Sequence, residues 1–311
     1  MARGSAPLAA VLLACLARLA GANFAFADFR SIEGLSLQGV ANRTQTWLRL
    51  TPSVPNLVGS AWHATKQAVQ GGFRADFSFR IVLDPDQALP GPCKWVDHTP
   101  ETCARRGEIL HDEGEAVAVE FDTWFDSNLR DPYENHVAVL TRGRSQLRSE
   151  HGTHIGVCLD VPDLADGERH DVRVEFDPKF DAEAAAHPSF QAGPHLFDLV
   201  YPSAVGFRHG LGLMRVFVDD MGDPALTVPM NLGTFLDLEG GTAWVGFTAS
   251  TGESHQNHEI LSWAFYESAD EHAAASALAG AHLTKEQDAR ARSEDRWSDG
   301  VFARTNARGE L

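Results

Sequence analysis

Short segments in which apolar and polar residues alternate recur from Phe29 to Phe265 and constrain the fold more than any other feature. The clearest is HDVRVEFD (170–177), where Val172, Val174 and Phe176 would share one side of a strand. Eight further segments show the pattern: LSLQGVA (35–41), QTWLRLT (45–51), RADFSFRIVL (74–83), AVAVEFDTW (116–124), NHVAVLTRG (135–143), LMRVFVDD (213–220), TAWVGFTAS (242–250) and EILSWAF (259–265). Alternation at period two predicts an all-β fold, an antiparallel sandwich or barrel packed on one face of each sheet.

Helical signals are confined to the edges of this pattern. FDAEAAAHPSF (180–190) has room for a turn or two of helix before Pro188. After Tyr266 the chain becomes Ala-rich and charged with no sustained apolar stripe, which predicts a solvated helix or a disordered tail. The chain therefore divides into a leader (1–22), one β domain (23–267) and a tail (268–311).

The first 22 residues have the layout of a secretory signal peptide. Arg3 precedes an apolar run from Ala6 to Ala17, and small residues follow, with cleavage expected after Ala20 or Ala22. A membrane anchor is the weaker alternative, because the run is shorter than the ~20 residues that a span needs and Arg18 follows it. No later stretch is long and apolar enough to span a membrane. We expect a secreted protein or one of the secretory lumen.

The charge balance excludes several classes of partner. Lys and Arg number 26 against 43 Asp and Glu, a formal net charge of −17. Such a chain has no general attraction for nucleic acid or anionic lipid, so we expect neither as a partner. Cations are the more natural ligands.

The expected secretory compartment guides the interpretation of the cysteines and of one glycosylation sequon. Cys15 would leave with the leader, and Cys93 and Cys103 bracket a segment rich in Pro and Gly that a disulfide can close. Cys158 is then the odd thiol, read as a small buried hydrophobe. Asn42 opens the sequon Asn42-Arg43-Thr44, which can carry a glycan at the surface.

Two carboxylates lie on one face of the strand AVAVEFDTW. Glu120 and Asp122 are two residues apart and project together, whereas Val119 and Phe121 point the other way. Two like charges so close repel each other and raise their own pKa values unless something compensates. A bound cation is the economical compensation.

The following loop supplies further oxygen and nitrogen donors, which form two overlapping ligand sets. Three carboxylates with one imidazole suit Mn²⁺ or a similar transition ion, and that set is Glu120, Asp122, Asp131 and His136. Oxygen donors alone suit Ca²⁺, and that set is Asp122, the carbonyl of Trp124, Asp126 and Asp131. The remaining paired histidines lack carboxylates at ligand spacing and are expected in loops: His151, His154, His255 and His258.

The spacing of these donors resembles the two-metal site of the legume-type (L-type) lectins. The pattern E-x-D-x-aromatic-x-[N/D]-x4-D-P-x3-H is filled by Glu120, Asp122, Trp124, Asp126, Asp131, Pro132 and His136. FADF (26–29), MRVFVDD (214–220), AWVGFTASTG (243–252) and HEILSWAF (258–265) also resemble lectin elements, so the likeness covers roughly 24–265. It implies a concanavalin A-like jelly-roll sandwich whose Ca²⁺ and transition metal hold sugar-binding loops. Glycans or glycoproteins would be the partners.

The sequence departs from that family at two places. The D-G-[F/L]-A-F strand, whose aspartate accepts from sugar hydroxyls, has no counterpart between Cys103 and Glu120, and Asp112 and Asp76 lack its context. The family's asparagine falls at Asp126, a carboxylate that cannot donate, although Asn128 would restore an amide in a shifted register. Carbohydrate contacts are therefore expected from Trp124, Asp126 and Asn128, with sugar binding impaired.

Three functions remain compatible with these residues. The first is a non-catalytic carbohydrate-binding protein, and the second is a lectin-like structural or protein-interaction module that has lost sugar binding. The third is a glycoside hydrolase with the pattern E-x-D-x-x-E, in which two carboxylates lie about 5 to 5.5 Å apart. Its third place falls on Phe125, which cannot donate a proton, so catalysis is disfavoured.

Overall fold

The computed structural model describes residues 22–83, 115–146, 151–191, 211–252 and 254–267. The strands within them are β1 (Phe24–Phe26), β2 (Leu35–Gly39), β3 (Asn42–Thr44), β4 (Trp47–Thr51), β5 (Val58–His63), β6 (Gln67–Ala68), β7 (Phe73–Val82), β8 (Glu115–Asp122), β9 (His136–Gln146), β10 (His154–Cys158), β11 (His170–Asp177), β12 (Gly212–Val218), β13 (Leu226–Met230), β14 (Thr242–Ala243), β15 (Gly246–Ser250) and β16 (Asn257–Glu267). Two short helices are α1 (Ala182–Ala185) and α2 (Leu232–Phe235). Single 3-10 turns lie at His151–Thr153 and Glu239–Gly241.

The strands form antiparallel sheets of unequal size. The largest has the order β13-β12-β11-β7-β16-β4-β3, with β1 also paired to β16. A second sheet has the order β10-β9-β8, a third has β15-β5-β2, and β14 pairs with β6. Non-consecutive neighbours such as β7 and β16 bring distant parts of the chain together, as in jelly-roll topologies.

One core lies between the largest sheet and the β10-β9-β8 sheet. Val172, Val174 and Phe176 of β11 are buried in the same apolar cluster as Val137 and Val139 of β9. These are alternate residues on each strand, so one face of each sheet is apolar. The prediction of an antiparallel β-sandwich is confirmed.

The outer face of the largest sheet carries paired charges. Glu259 is only 2 % exposed and accepts from Arg49 and Arg80, both at 2.6 Å. Further along the sheet, Arg173 contacts Asp76 at 3.1 Å. Ion pairs of this kind satisfy charged groups that the neighbouring strands partly shield from water.

All nine alternating segments contain strands, but one prediction needs correction. TAWVGFTAS is two strands in different sheets, because β14 pairs with β6 and β15 pairs with β5. Trp244, which lies between them, is exposed, and the carbonyl of Val245 accepts from the amide of His63. Alternation along the chain carries no information about a change of pairing partner, so it predicts one continuous strand.

Two of the histidines expected in loops lie in strands instead. His154 opens β10, and His258 lies in β16, whereas His255 is in a loop. The His258 ring contacts the Thr51 hydroxyl at 2.6 Å, and burial lowers the His258 pKa to about 4. The loop prediction is wrong for both residues; at His258 a half-buried neutral imidazole with a hydroxyl partner is tolerated inside a sheet.

The helix expected in 180–190 is confirmed as α1, whose N-cap Asp181 accepts from the amide of Glu183. Asn42 is exposed at the start of β3, and Cys158 carries a free, half-buried thiol at the end of β10. The leader apart from residue 22, Cys93, Cys103, Asp112 and the tail from residue 268 lie outside the described residues. Within the described residues, no helix has the length and apolarity needed to cross a membrane.

Candidate metal and carbohydrate site

The candidate site is built on the paired strands β8 and β9. Asp122 lies directly opposite His136 in the register, and Glu120 lies opposite Ala138. Val119 and Phe121 point into the core, where Phe121 lies 5.2 Å from Phe79 between ring centres. The opposite face of the strand pair therefore carries the two carboxylates and the imidazole side by side.

The three side chains converge closely enough to share one ion. One ligand atom from each of Glu120, Asp122 and His136 lies within 4.8 Å of the others. His136 Nε2 lies 3.7 Å from the Glu120 carboxylate, and the ring is fully buried. His136 Nδ1 lies 2.8 Å from the carbonyl of Tyr133, so the Nδ1–H form donates there and directs the Nε2 lone pair toward the carboxylates.

Burial and mutual repulsion shift the acid–base properties of this cluster. Desolvation raises the pKa of Asp122 to about 6, and the neighbouring charges of Glu120 and Asp131 add to the increase. Desolvation also raises the pKa of Asp131. Burial opposes protonation of His136, but its contact with Glu120 and the charge of Asp122 raise its pKa overall. Negative charge is thus accumulated where it is costly without a cation.

The loop between the strands, residues 123–135, is called the metal loop below. Its first half is a compact turn in which the carbonyl of Asp126 accepts from the amides of Leu129 and Asp131. Arg130 has a φ of 66°, the left-handed region. The amide of Asp126 donates to the Asp131 carboxylate at 2.7 Å, and the amide of Trp124 donates to Asp122 at 2.8 Å. These bonds hold Asp131, which is 8 % exposed, beside the cluster.

The structure brings some of the predicted ligands together and leaves others at the rim. Glu120, Asp122 and His136 converge, and Asp131 is near enough that the charges of Glu120 and His136 affect its pKa. Asp126 lies beside Asp131, and its own carboxylate accepts from the amide of Asn128 at 2.8 Å. Asn128 is exposed, as is Trp124.

Three large aromatic side chains project into solvent from the metal loop. Trp124 is 61 % exposed, Phe125 49 % and Tyr133 53 %. Exposed aromatic rings grouped on one loop are typical of a binding surface, because their contact with water is unfavourable and a bound ligand can cover them. The sequence pattern identified Trp124 but missed Phe125 and Tyr133 as parts of this surface.

The donor set fits a bound cation. Two carboxylates and one imidazole converge at the end of a strand pair with a third carboxylate, Asp131, nearby, and such groups are the ligands that hard and borderline divalent ions prefer. Burial raises the pKa of Asp122 to about 6, and the nearby charges of Glu120 and Asp131 add to the increase, so an ionised Asp122 is disfavoured there unless a positive charge lies beside it. A metal would hold the metal loop against the sheet and would supply a positive centre for ligand oxygens.

One residue of structural importance beside the site was missed by sequence reasoning. The side chain of Asn135, directly before His136, bonds to the backbone of residues 161–164. Apart from its position beside the predicted ligand His136, nothing in the local sequence distinguishes Asn135. Its partners lie on a different loop and are visible only in the tertiary structure.

Comparisons with known proteins show a likeness to the legume lectins. A model of the legume lectin domain family matches residues 208–279, which include β12 to β16 and exclude the metal loop. The resemblance to L-type lectins is therefore confirmed by a part of the chain that carries none of the predicted metal ligands.

Two curated relatives show the same likeness. A probable L-type lectin-domain containing receptor kinase VII.2 from Arabidopsis thaliana is 29 % identical over 153 residues, which are 48 % of this chain but only 18 % of the kinase. Favin from Vicia faba is 24 % identical over 260 residues, covering 78 % of this chain and 94 % of Favin.

Two solved carbohydrate-recognition or lumenal domains are similar to this chain at low identity. The exoplasmic/lumenal domain of VIP36 in its Ca²⁺/Man3GlcNAc-bound form aligns with a TM-score of 0.48 and 16 % identity, covering 80 % of this chain and 92 % of that one. The carbohydrate recognition domain of Emp47p aligns with a TM-score of 0.49 and 14 % identity, covering 80 % and 97 %.

Proposed function

We propose that this chain is a non-catalytic, metal-dependent L-type lectin-like protein that binds glycans or glycoproteins in the secretory pathway. The observation that carries the proposal is the placement of Asp122 opposite His136 with Glu120 beside them. A carboxylate pair facing an imidazole at the base of an aromatic-rich loop suits metal-supported recognition better than any other role of these residues.

Two cations are proposed for the cluster. Mn²⁺ or a similar transition ion would be held by the set that contains the imidazole: Glu120, Asp122, Asp131 and His136. Ca²⁺ would be held by oxygen donors alone: Asp122, the carbonyl of Trp124, Asp126 and Asp131. Asp122 and Asp131 belong to both sets, so neutralising them would relieve repulsion in the folded state.

The carbohydrate would meet the rim of the metal loop. Trp124 offers an exposed ring against the apolar face of a sugar, and Asp126 and Asn128 lie within the same turn. Asp126 can accept from hydroxyls but cannot donate, and its carboxylate already accepts from the amide of Asn128. We therefore propose weak sugar binding, because an unmatched hydroxyl costs about 1 to 3 kcal/mol.

A non-catalytic role is supported by the side chain at the third position of the hydrolase pattern. Phe125 stands where a retaining glycosidase of that pattern would place its acid, and its half-exposed ring carries no proton to donate. Secretory-lumen localisation rests on the signal-like residues 1–22.

Metal titration followed by a glycan array tests the proposal. Calorimetry of the metal-free protein should show Ca²⁺ binding, which Asp122→Asn should abolish because an amide replaces a carboxylate shared by both ligand sets. Glu33→Gln, which removes one exposed charge elsewhere, should bind as the wild type does. Absence of Ca²⁺ and Mn²⁺ binding by the wild type would overturn the metal site.

The second candidate function is a lectin-like interaction module that binds no sugar. It is favoured by one observation, the engagement of the Asp126 carboxylate within its own turn. A glycan array with and without Ca²⁺ discriminates the two. Metal-dependent signals for any glycan support the lectin, whereas a metal-binding protein that retains no glycan supports the module.

A further inference from the structure

Asn135 occupies the junction between the metal loop and strand β9. It immediately precedes His136, the buried imidazole of the cluster, and lies one residue after Glu134. Its side-chain amide donates to the carbonyls of Val161 at 3.3 Å and Pro162 at 2.8 Å. Its side-chain oxygen accepts from the amide of Leu164 at 3.1 Å. One side chain thus makes three hydrogen bonds to the backbone of another loop.

That second loop, residues 159–169, is called the buttress loop here, and it is anchored on both sides of the contact. Leu164 is fully buried in the main core, and the amide of Ala165 donates to Asp163. Asp166 lies 3.3 Å from the buried His170, at the first residue of β11. His170 in turn contacts Asp219, at 2.9 Å, beyond the end of β12. Asn135 therefore fastens the metal loop to a segment fixed to the largest sheet.

The consequence concerns the direction from which the chain enters β9. The first half of the metal loop is fixed by its own turn. Residues 133–135 lead back into β9 and determine whether His136 lies opposite Asp122. The side-chain bonds of Asn135 fix the backbone directly before His136, and the Tyr133 carbonyl orients the His136 ring through Nδ1. A loop already ordered before the ion arrives loses less conformational entropy on binding.

We propose that Asn135 is a positioning residue of the metal site, which raises cation affinity by fixing the entry to β9 without ligating the ion. The side-chain amide of Asn135 is already hydrogen-bonded to the backbone of residues 161–164, so we do not assign it as a ligand of the ion. The inference rests on the proposed function, since it assumes a cation at Glu120, Asp122 and His136.

The test compares two hydrogen-bonded asparagines in the full-length protein, the half-buried Asn135 and the buried Asn231. Asn135→Ala removes the contacts to the buttress loop, and Asn231→Ala removes the N-cap of α2, where Asn231 accepts from the amide of Gly233. Asn231 adjoins Met230, which pairs with Gly212 at the opposite end of the sandwich from His170. Both changes should lower thermal stability, so stability alone does not distinguish a positioning role.

Ca²⁺ and Mn²⁺ affinities measured by calorimetry on folded protein supply the discriminating readout. Asn135→Ala should weaken binding roughly tenfold or more, because it removes the three hydrogen bonds that order the loop before the ion binds, whereas Asn231→Ala should bind within about twofold of wild type. Amide exchange in residues 126–135 of the metal-free protein should accelerate in Asn135→Ala alone. If the alanine variant does not fold, Asn135→Ser, which keeps a hydroxyl, replaces it. Its cation affinity should lie between that of the wild type and the value expected for Asn135→Ala.

The possible outcomes separate this inference from the proposed function. A wild-type protein that binds neither ion overturns the metal site and this role with it. A wild-type protein that binds both, together with an Asn135 variant of equal affinity, overturns only the role of Asn135. Equal losses in Asn135→Ala and Asn231→Ala also overturn it, because the effect would then be one of general stability.

Discussion

Asp122 and His136 are direct cross-strand neighbours in the register of β8 and β9, on the face turned away from the core. Burial and nearby carboxylates raise the pKa of Asp122 to about 6, and the carboxylates raise that of His136 against the opposing effect of its burial. Both groups therefore bind protons more tightly in the folded, metal-free protein than in the unfolded chain. Protons and cations compete for the same side chains.

This competition predicts a pH-dependent response to chelation. Between about pH 4 and pH 6 the folded protein holds the Asp122 proton that the unfolded chain releases, so metal-free stability falls as pH rises through that window. His136 contributes stability below its ordinary pKa and loses it as pH rises through the raised value. The drop in melting temperature caused by a chelator should be large near pH 7.5 and should shrink toward pH 5, as differential scanning fluorimetry can show.

Asp122→Asn is the matched variant for that measurement. The amide is isosteric and removes both the charge and the titration, so its melting temperature should respond to neither chelator nor added Ca²⁺. Glu33→Gln should retain the wild-type response. A wild-type melting curve that chelator leaves unchanged near pH 7.5 would contradict the prediction.

Restoring an amide at position 126 should strengthen sugar binding. Asp126→Asn supplies the N–H donor that the carboxylate lacks and keeps one oxygen for a cation. One recovered hydrogen bond to a sugar hydroxyl corresponds to about 1 kcal/mol, or several-fold in affinity. Glycan-array signals and the affinity measured by calorimetry should increase for Asp126→Asn, while Glu33→Gln, outside the site, should leave them near wild type. Sub-millimolar wild-type affinity for a simple sugar, lost in Asp126→Ala, would refute impaired binding.

The bridge from Asp219 through His170 to Asp166 should stabilise the domain mainly at mildly acidic pH. Burial opposes protonation of His170, but the bond to Asp219 prevails and raises the His170 pKa. Desolvation of Asp219 is likewise outweighed by His170, so its pKa is lowered. The His170 contribution is complete below about 6.5 and is lost as pH rises through the raised pKa, and that of Asp219 is lost only in acid below about 3.8.

Urea unfolding of His170→Asn checks this window. Because the two aspartates are partly exposed, we expect a pH-dependent loss on the order of 1 kcal/mol near pH 5.5 that declines near pH 8.5. His187→Asn is the control, since His187 pairs with the largely exposed Asp223 at 3.1 Å. A penalty for His170→Asn that is constant with pH would indicate packing alone.

Glu259 should be among the most sensitive polar positions of the largest sheet. It is buried between Arg49 and Arg80, and Glu259→Gln would leave both guanidinium groups without their anionic partner. Because the arginines retain partial access to water, we expect a loss of about 2 to 3 kcal/mol in the free energy of unfolding. Asp28→Asn, at an exposed pair 3.6 Å from Arg30, should change it by less than about 0.5 kcal/mol. Equal effects of the two substitutions would contradict this account.

Cys93 and Cys103 remain a predicted disulfide. The loop has nine residues between the cysteines, and closing it should contribute on the order of 2 to 3 kcal/mol. Peptide mapping without reduction should recover the two as one linked pair and Cys158 as a free thiol, slow to alkylate because burial raises its pKa. Recovery of Cys158 bridged to either partner would show the pairing to be wrong.

Period two in the sequence was enough to predict nine strand-containing segments, because a strand with one buried face needs apolar residues at alternate positions. The same rule placed Glu120 and Asp122 together. It also placed Val172, Val174 and Phe176 in the core, where they are found. The fold class and the centre of the candidate site were therefore determined by local pattern.

Contacts between distant segments were decided only by the tertiary structure. The division of 242–250 between two sheets depends on pairing with β6 and β5, and the hydrogen bond of the half-buried His258 depends on a hydroxyl from β4. Asn135 gains its role from residues 161–164, which its own sequence context does not indicate. Local alternation reports which side of a strand is buried, whereas pairing partners and fastening contacts depend on how the sheets assemble around the core.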